Sequence, residues 1–466
     1  MEEKKDKPEE KKDKIEEKKP KLEEKPEDQE RRQARRKRRI RNQILAYLTV
    51  LIFISLVAGG VLYGMKWFTR EQPADKESSS GIEIVESSLP ETPSEESSES
   101  SEFFEESTES VPEGPTAEER LEALIDSVIE NMTLEDKVAG LFLVTPESIT
   151  GVSTAVKAGD GTKKALEKYA VGGIIYFKKN IKNADQFKEM VANTKNLSRY
   201  EMFYAIDEEG GKVARLAEAG VGTKVDTAAK LGEAGNVDEV YNAGVVLGTN
   251  LTGMGLNLDL APVADLSLVN KSYIGDRSFG SDAVTVGEMA TAMMQGIQSQ
   301  GVTSCVKHFP GIGSTTADPH KGLASTDRTE EEFRSTEFVA FQATIDAGTD
   351  MIMISNIAAP GLTGNDEPCV FSEKVVTDIL RNEMGFTGVV ITDAMDMSVI
   401  SNFYGPDEAA VLALRAGCDM ILMPENFEKA YNGVLEAVRA NQISEERVND
   451  ALRRIYRIKF AGRELE

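Results

Sequence analysis

GVVITD, residues 388–393, reads as a strand buried on both faces that ends on a carboxylate. Val389 to Thr392 are four β-branched residues in a row, and nothing polar alternates with them until Asp393. A strand with no solvent face needs no alternation, which is the condition of parallel strands covered by helices. The same pattern recurs in GGIIYF at 172–177 and DMIMIS at 350–355. Outward from these, strand-like apolar runs fall at 140–144, 172–177, 202–207, 255–260, 302–308, 350–356, 388–393 and 419–424. Helical patterns separate them, for example at 184–197, 285–300, 330–346, 373–384 and 407–416. Eight such units predict an α/β fold, a (β/α)₈ TIM-type barrel over residues 116–466. A doubly wound open sheet is the competing arrangement. It wants a glycine-rich phosphate turn after its first strand, whereas here GLFLV (140–144) is followed by TPESITG.

The residues before the barrel are of another kind. Residues 1–43 form a charged tail that buries almost nothing, so disorder is expected. Its first thirty residues carry ten lysines against thirteen acidic residues, and RRQARRKRRIR at 31–41 adds eight cations. Residues 44–65 then give 22 positions without a charge, about 33 Å as a helix and enough to cross a bilayer core. The basic block predicts that the amino terminus lies inside and the barrel outside a cell membrane. A cleaved signal peptide is the rival reading, with Ala58-Gly59-Gly60 as the small-residue site. The apolar run is long for that role, and so is the polar region before it. Residues 66–115 are a Ser/Glu-rich linker; from 71 onward it holds fourteen acidic residues and one lysine.

The net charge of −25 argues against nucleic acid as a partner of the whole chain, although a run like 31–41 also suits nucleic-acid patches. Three cysteines, Cys305, Cys369 and Cys418, leave at least one unpaired, and no C-x-x-C spacing suggests zinc. Cys305 and Cys418 sit in apolar runs, where an inert buried thiol is the simpler reading. No cofactor motif is present.

A barrel of this kind carries its site at the carboxyl ends of its strands. Those ends read Asp207-Glu208-Glu209, Asp259, Lys307-His308, Asp393 and Glu425. The two histidines of the chain, His308 and His320, lie twelve residues apart in one Gly/Pro/Thr-rich loop. Asp318 and His320 flank Pro319, and in an extended segment residues two apart face the same way. The carboxylate can then orient the imidazole as a general acid/base. Metal is the rival for such a pair, but no second ligand pair accompanies it.

KHFPGIGSTTADPH, Lys307–His320, resembles the signature of glycoside hydrolase family 3, in its bacterial β-N-acetylglucosaminidase branch. AIDEEGGKVARL (205–216), NLDLAPVADL (257–266), IGDRSFG (274–280) and VVITDAMDM (389–397) resemble further family motifs in the family's order. The resemblance spans about residues 120–460. It implies a retaining exo-β-N-acetylglucosaminidase without cofactor or metal, acting on carbohydrate such as peptidoglycan fragments. Asp393 would be the nucleophile that forms a glycosyl-enzyme, and His320, oriented by Asp318, the acid/base. Asp207, Arg215, Arg277, Lys307 and His308 would bind the sugar. Asp396 is the rival nucleophile.

Three positions depart from the pattern: Ile312 where histidine is usual, Ser314 where aspartate is common, and Asn356 where a histidine often stands. Each removes a polar or charged contact near the expected sugar. Two other readings stay open: the same chemistry on a glucoside or xyloside, or a barrel that binds glycans without cleaving them.

Overall fold

The computed structural model describes residues 115–322 and 324–461. The tail, the span expected at 44–65 and the linker, save Pro115, lie outside them. Among the described residues no helix is long and apolar enough to cross a membrane.

Ten strands occur in chain order: β1 Phe142–Val144, β2 Gly173–Ile175, β3 Phe203–Ile206, β4 Glu208–Gly210, β5 Val213–Ala214, β6 Leu258–Asp259, β7 Thr303–Phe309, β8 Met351–Ile354, β9 Val389–Thr392 and β10 Ile421–Leu422. Eight form one sheet in the order β10-β1-β2-β3-β6-β7-β8-β9, and every pairing in it is parallel. Ile391 bridges Met420 in parallel and brings β9 round to the segment that leads into β10, so the ring closes. Each of the eight strand-like runs holds one barrel strand, seven of them within the expected bounds and β7 running one residue past its run to Phe309. The strand residues are buried almost without exception, as strands lacking polar alternation require.

Helices return the chain between strands, among them Ala184–Leu197, Val237–Gly253, Ala283–Gln298, Pro406–Ala416 and Phe427–Arg439. The helix expected over 330–346 is broken in two at Thr336, whose backbone leaves the helical region at φ −134°, ψ −85°. At the break the Glu332 carbonyl, the acceptor that the Thr336 N–H would use in a continuous helix, is taken by other donors: the Thr336 hydroxyl at 2.6 Å and Arg328 Nη2 at 2.9 Å. Thr336 N–H falls back on Phe333. The segment 374–383 is helical but wound wide, with Met384 N–H reaching back five residues to Ile379. All three cysteines are buried and unpaired, and burial pushes their thiols up.

Candidate active site

A cavity of about 380 Å³ opens at the carboxyl ends of the strands. Every barrel strand but β1 lends it a residue at or just past that end: Ile175, Asp207, Leu260, Lys307, Ser355, Asp393 and Leu422.

β4 and β5 form a short antiparallel hairpin directly beyond β3, and its turn needs glycine. Gly210 and Gly211 sit at φ +90° and +56°, where a side chain is strained. The hairpin buries Glu208 and Glu209 and leads straight into Arg215. Glu208 points away from the cavity and accepts the N–H groups of Leu216 and Ala217 at 2.7 and 3.1 Å, fixing the turn that carries Arg215. Burial pushes the Glu208 carboxyl up to about 7, against the pull of those two donors.

Glu209 is the hub of the site. It takes Arg277 in a two-pronged pair, both bonds 2.7 Å, and Lys307 Nζ at 2.7 Å. Lys307 also reaches Asp207 at 2.8 Å. Burial alone would raise the Glu209 carboxyl; Lys307 and Arg277 outweigh it and hold it far below the usual carboxylate range. Burial likewise opposes the charge on Lys307, and Asp207 and Glu209 overcome it. Glu209 and Lys307 therefore stay ionised, a charged acceptor and donor facing a small cavity.

β7 contributes two consecutive residues to the cavity. Its register against β8 slips between Lys307 and Phe309, a bulge that lets Lys307 and His308 both line it. Asp265 anchors the chain beyond this bulge. One oxygen holds His308 Nδ1 at 2.6 Å and the His308 N–H at 3.1 Å; the other takes the Ile312 N–H at 2.7 Å. Gly313 then passes so near the Leu266 carbonyl that a Cβ would lie 1.5 Å from it. The loop reaches His320, whose Nδ1 lies 3.2 Å from Asp318 Oδ1 and 3.0 Å from the Tyr273 hydroxyl. The His320 N–H donates to the same Asp318 oxygen at 3.0 Å. Lys321 holds the other Asp318 oxygen at 3.1 Å. Asp393 stands in the cavity wall just past β9, one oxygen accepting the Ala394 N–H at 2.7 Å.

Asp207, Arg215, Arg277, Lys307, His308, His320 and Asp393 thus line one cavity. Asp318 does not line it and stands behind His320. Two strand ends read as converging acids do otherwise. Asp259 is fully buried and accepts the Glu208 N–H at 3.0 Å, while the next residue, Leu260, faces the cavity. Glu425 is exposed beyond β10 and outside the cavity lining. Ile312 is 3% exposed and packs into the cavity wall. Ser314 donates to Thr326 at 2.8 Å, and Asn356 donates to the Ala394 carbonyl at 2.8 Å. Sequence reasoning gave no role to Glu209, Asp265 or Tyr273. The signal that could have singled out Asp265 is a lone acid inside the apolar run APVADL; Tyr273 has no comparable signal. Among the described residues, no three His, Cys, Asp or Glu side chains are arranged to hold a metal ion.

Fold and site define a (β/α)₈-barrel hydrolase in which carboxylates face a histidine–aspartate dyad. The model of the glycosyl hydrolase family 3 N-terminal domain matches residues 133–458, and the chain belongs to that family. It is 34% identical over 277 residues to a β-hexosaminidase of Chromobacterium violaceum, covering 58% of this chain and 76% of that one. A family 3 β-N-acetylglucosaminidase from Paenibacillus sp. superposes with a TM-score of 0.67 at 33% identity, over 70% of this chain and 62% of that longer one. A β-N-acetylhexosaminidase from Beutenbergia cavernae gives 0.62 at 28% identity, over 71% and 99%.

Proposed function

We propose that the protein is a retaining exo-β-N-acetylhexosaminidase that removes terminal β-linked N-acetylhexosamine through a covalent intermediate on Asp393. The observation that carries this reading is one small cavity with Asp393 on its β9 wall and the His320–Asp318 dyad at its rim. The carboxylate attacks the anomeric carbon as the glycosidic C–O bond breaks, and the His320 imidazolium gives its proton to the leaving oxygen. Nδ1 is occupied by Asp318 and Tyr273, so Nε2 is the nitrogen free to exchange a proton. Water then attacks the glycosyl–Asp393 ester, His320 takes the water's proton, and the anomeric configuration is retained. Asp207, Lys307, Arg277, His308 and Arg215 hold the sugar's hydroxyl and N-acetyl groups. Asp393 suits the nucleophile better than Asp396, whose carboxyl is pushed up by burial and then by the charge of Asp393. A cavity of about 380 Å³ is at the small end for ligand sites, which fits one terminal sugar.

The proposal extends to location: an uncleaved helix at 44–65 carries the barrel outside a membrane, where peptidoglycan fragments supply the sugar. A panel of nitrophenyl glycosides tests the substrate. Turnover is expected on N-acetyl-β-glucosaminide and should exceed that on β-glucoside and β-xyloside by about 100-fold or more, because a site built for an amide leaves its polar groups unpaired without one. Turnover of glucoside alone sinks the substrate assignment, and none on any glycoside sinks the reaction. His320→Ala should slow substrates with poor leaving groups by about 10²–10⁴-fold and spare activated ones. Normal turnover on the poor ones would remove His320 from its role.

A further inference from the structure

Tyr273 lines the cavity and, beyond occupying His320 Nδ1, has been given no part in the proposed chemistry. Its segment, which runs on from β6, is strapped to the loop that carries His320. The Leu268 N–H and the Ser272 hydroxyl both donate to the Gly313 carbonyl, at 3.2 and 2.7 Å, and the Tyr273 N–H donates to the Thr315 carbonyl at 2.8 Å. These three bonds tie the two loops together. From this strap the phenol reaches His320 Nδ1 at 3.0 Å, closer than the 3.2 Å of Asp318.

His320 needs that second hold. Its side chain is 61% exposed, so little packing fixes the ring. Asp318 is a shared partner, because Lys321 occupies its other oxygen at 3.1 Å. We propose that Tyr273 is a positioning residue for the acid/base: its hydroxyl, together with Asp318, holds Nδ1, aims Nε2 at the leaving oxygen and supports the imidazolium. The phenol is suited to this. Burial pushes it up to about 12, so it remains a neutral hydroxyl throughout the working range and can accept from Nδ1–H. The charged groups that face His320 are Asp318 from its own loop, whose other oxygen holds Lys321, and Asp396 from the loop after β9. Tyr273 itself faces Arg277, Asp318, Asp393 and Glu209. Of these, Asp318 alone shares Nδ1 with the hydroxyl.

The inference rests on His320 being the acid/base, and the test separates the two. Tyr273→Phe and His320→Ala are assayed in the full chain on aryl N-acetyl-β-glucosaminides with poor and good leaving groups. Tyr273→Phe keeps the ring and the backbone strap. It should move the basic limb of the kcat/KM profile to lower pH by about half to one unit, since a hydrogen bond to the charged imidazolium is stronger than one to the neutral ring. It should cut kcat on the poor leaving group by about tenfold and leave the good one within about twofold, with KM and Tm little changed. An unmoved limb, a loss equal across leaving groups, or a rise confined to KM would each overturn the role of Tyr273. A His320→Ala enzyme with normal turnover on the poor leaving group would overturn the reading beneath it.

Discussion

Asp393→Asn is expected to remove glycosidase turnover by at least about 10³-fold, the order seen when the group that makes a covalent intermediate is lost, while Tm stays within a few degrees of wild type. The fold should survive because the one bond given to the Asp393 side chain is accepted from the Ala394 N–H, and an amide oxygen accepts it equally well. Asparagine keeps the volume and removes only the charge. That charge is the point of the experiment. A neutral amide cannot open a bond at the anomeric carbon, and it also ceases to push up the Asp396 carboxyl. A fluorinated sugar that traps the glycosyl-enzyme should label the peptide holding Asp393. Label on Asp396, or an Asp393→Asn enzyme with a tenth of wild-type turnover, would reject the assignment.

The barrel was legible in the sequence because burial on both faces is written directly into composition. Runs such as VVIT and MIMI need only be counted, and counting them gave the eight strands. What escaped depends on partners distant in the chain. At the break at Thr336 a helix carbonyl is taken both by the Thr336 hydroxyl and by an arginine eight residues upstream, and no helical periodicity registers that. The hairpin β4–β5 hides in EEGGKVA, too short for a strand pattern; only its two adjacent glycines hint at a turn.

The site divides in the same way. The Asp318–His320 pair is local, so its spacing alone was informative. Its neighbours are assembled across strands: Glu209 from the hairpin, Asp265 and Tyr273 from the segment after β6, Lys307 from β7. Reading strand ends as pointing inward failed at Asp259. It lies one residue short of Leu260, and a shift of one residue turns a side chain to the other face. The departures at Ile312, Ser314 and Asn356 looked in sequence like lost sugar contacts. Ile312 and Asn356 do line the cavity, as that expectation requires, and each departure also has a local contact: Ile312 fills the wall, Ser314 bonds Thr326, and Asn356 bonds the carbonyl of the residue after Asp393.

Glu209→Gln should cost about 3–5 kcal/mol of stability at neutral pH, the range for removing one partner from a buried ion pair. The cost falls unevenly. Lys307 keeps Asp207 at 2.8 Å, whereas Arg277 is left with the His308 ring nitrogen at 3.4 Å. Arg277 then holds a buried charge against a neutral amide. The pH dependence identifies the cause. The Glu209 carboxyl lies far below its ordinary 4.5 in the folded protein, so its contribution is present above pH 4.5 and is lost as the pH falls toward the folded value. Glu208 acts in the opposite sense. Burial raises it to about 7, so ionising it costs the folded state stability as the pH rises from 4.5 to 7. Urea unfolding of wild type and Glu209→Gln across pH 3 to 8 separates the two carboxylates. The gap between the proteins should be constant above about pH 5.5 and should narrow progressively below 4.5, while both keep the decline toward neutral pH that Glu208 and the other carboxyls raised by burial impose. A gap that persists unchanged at pH 3 would mean that packing, rather than the charge on Glu209, holds Arg277 and Lys307 in place.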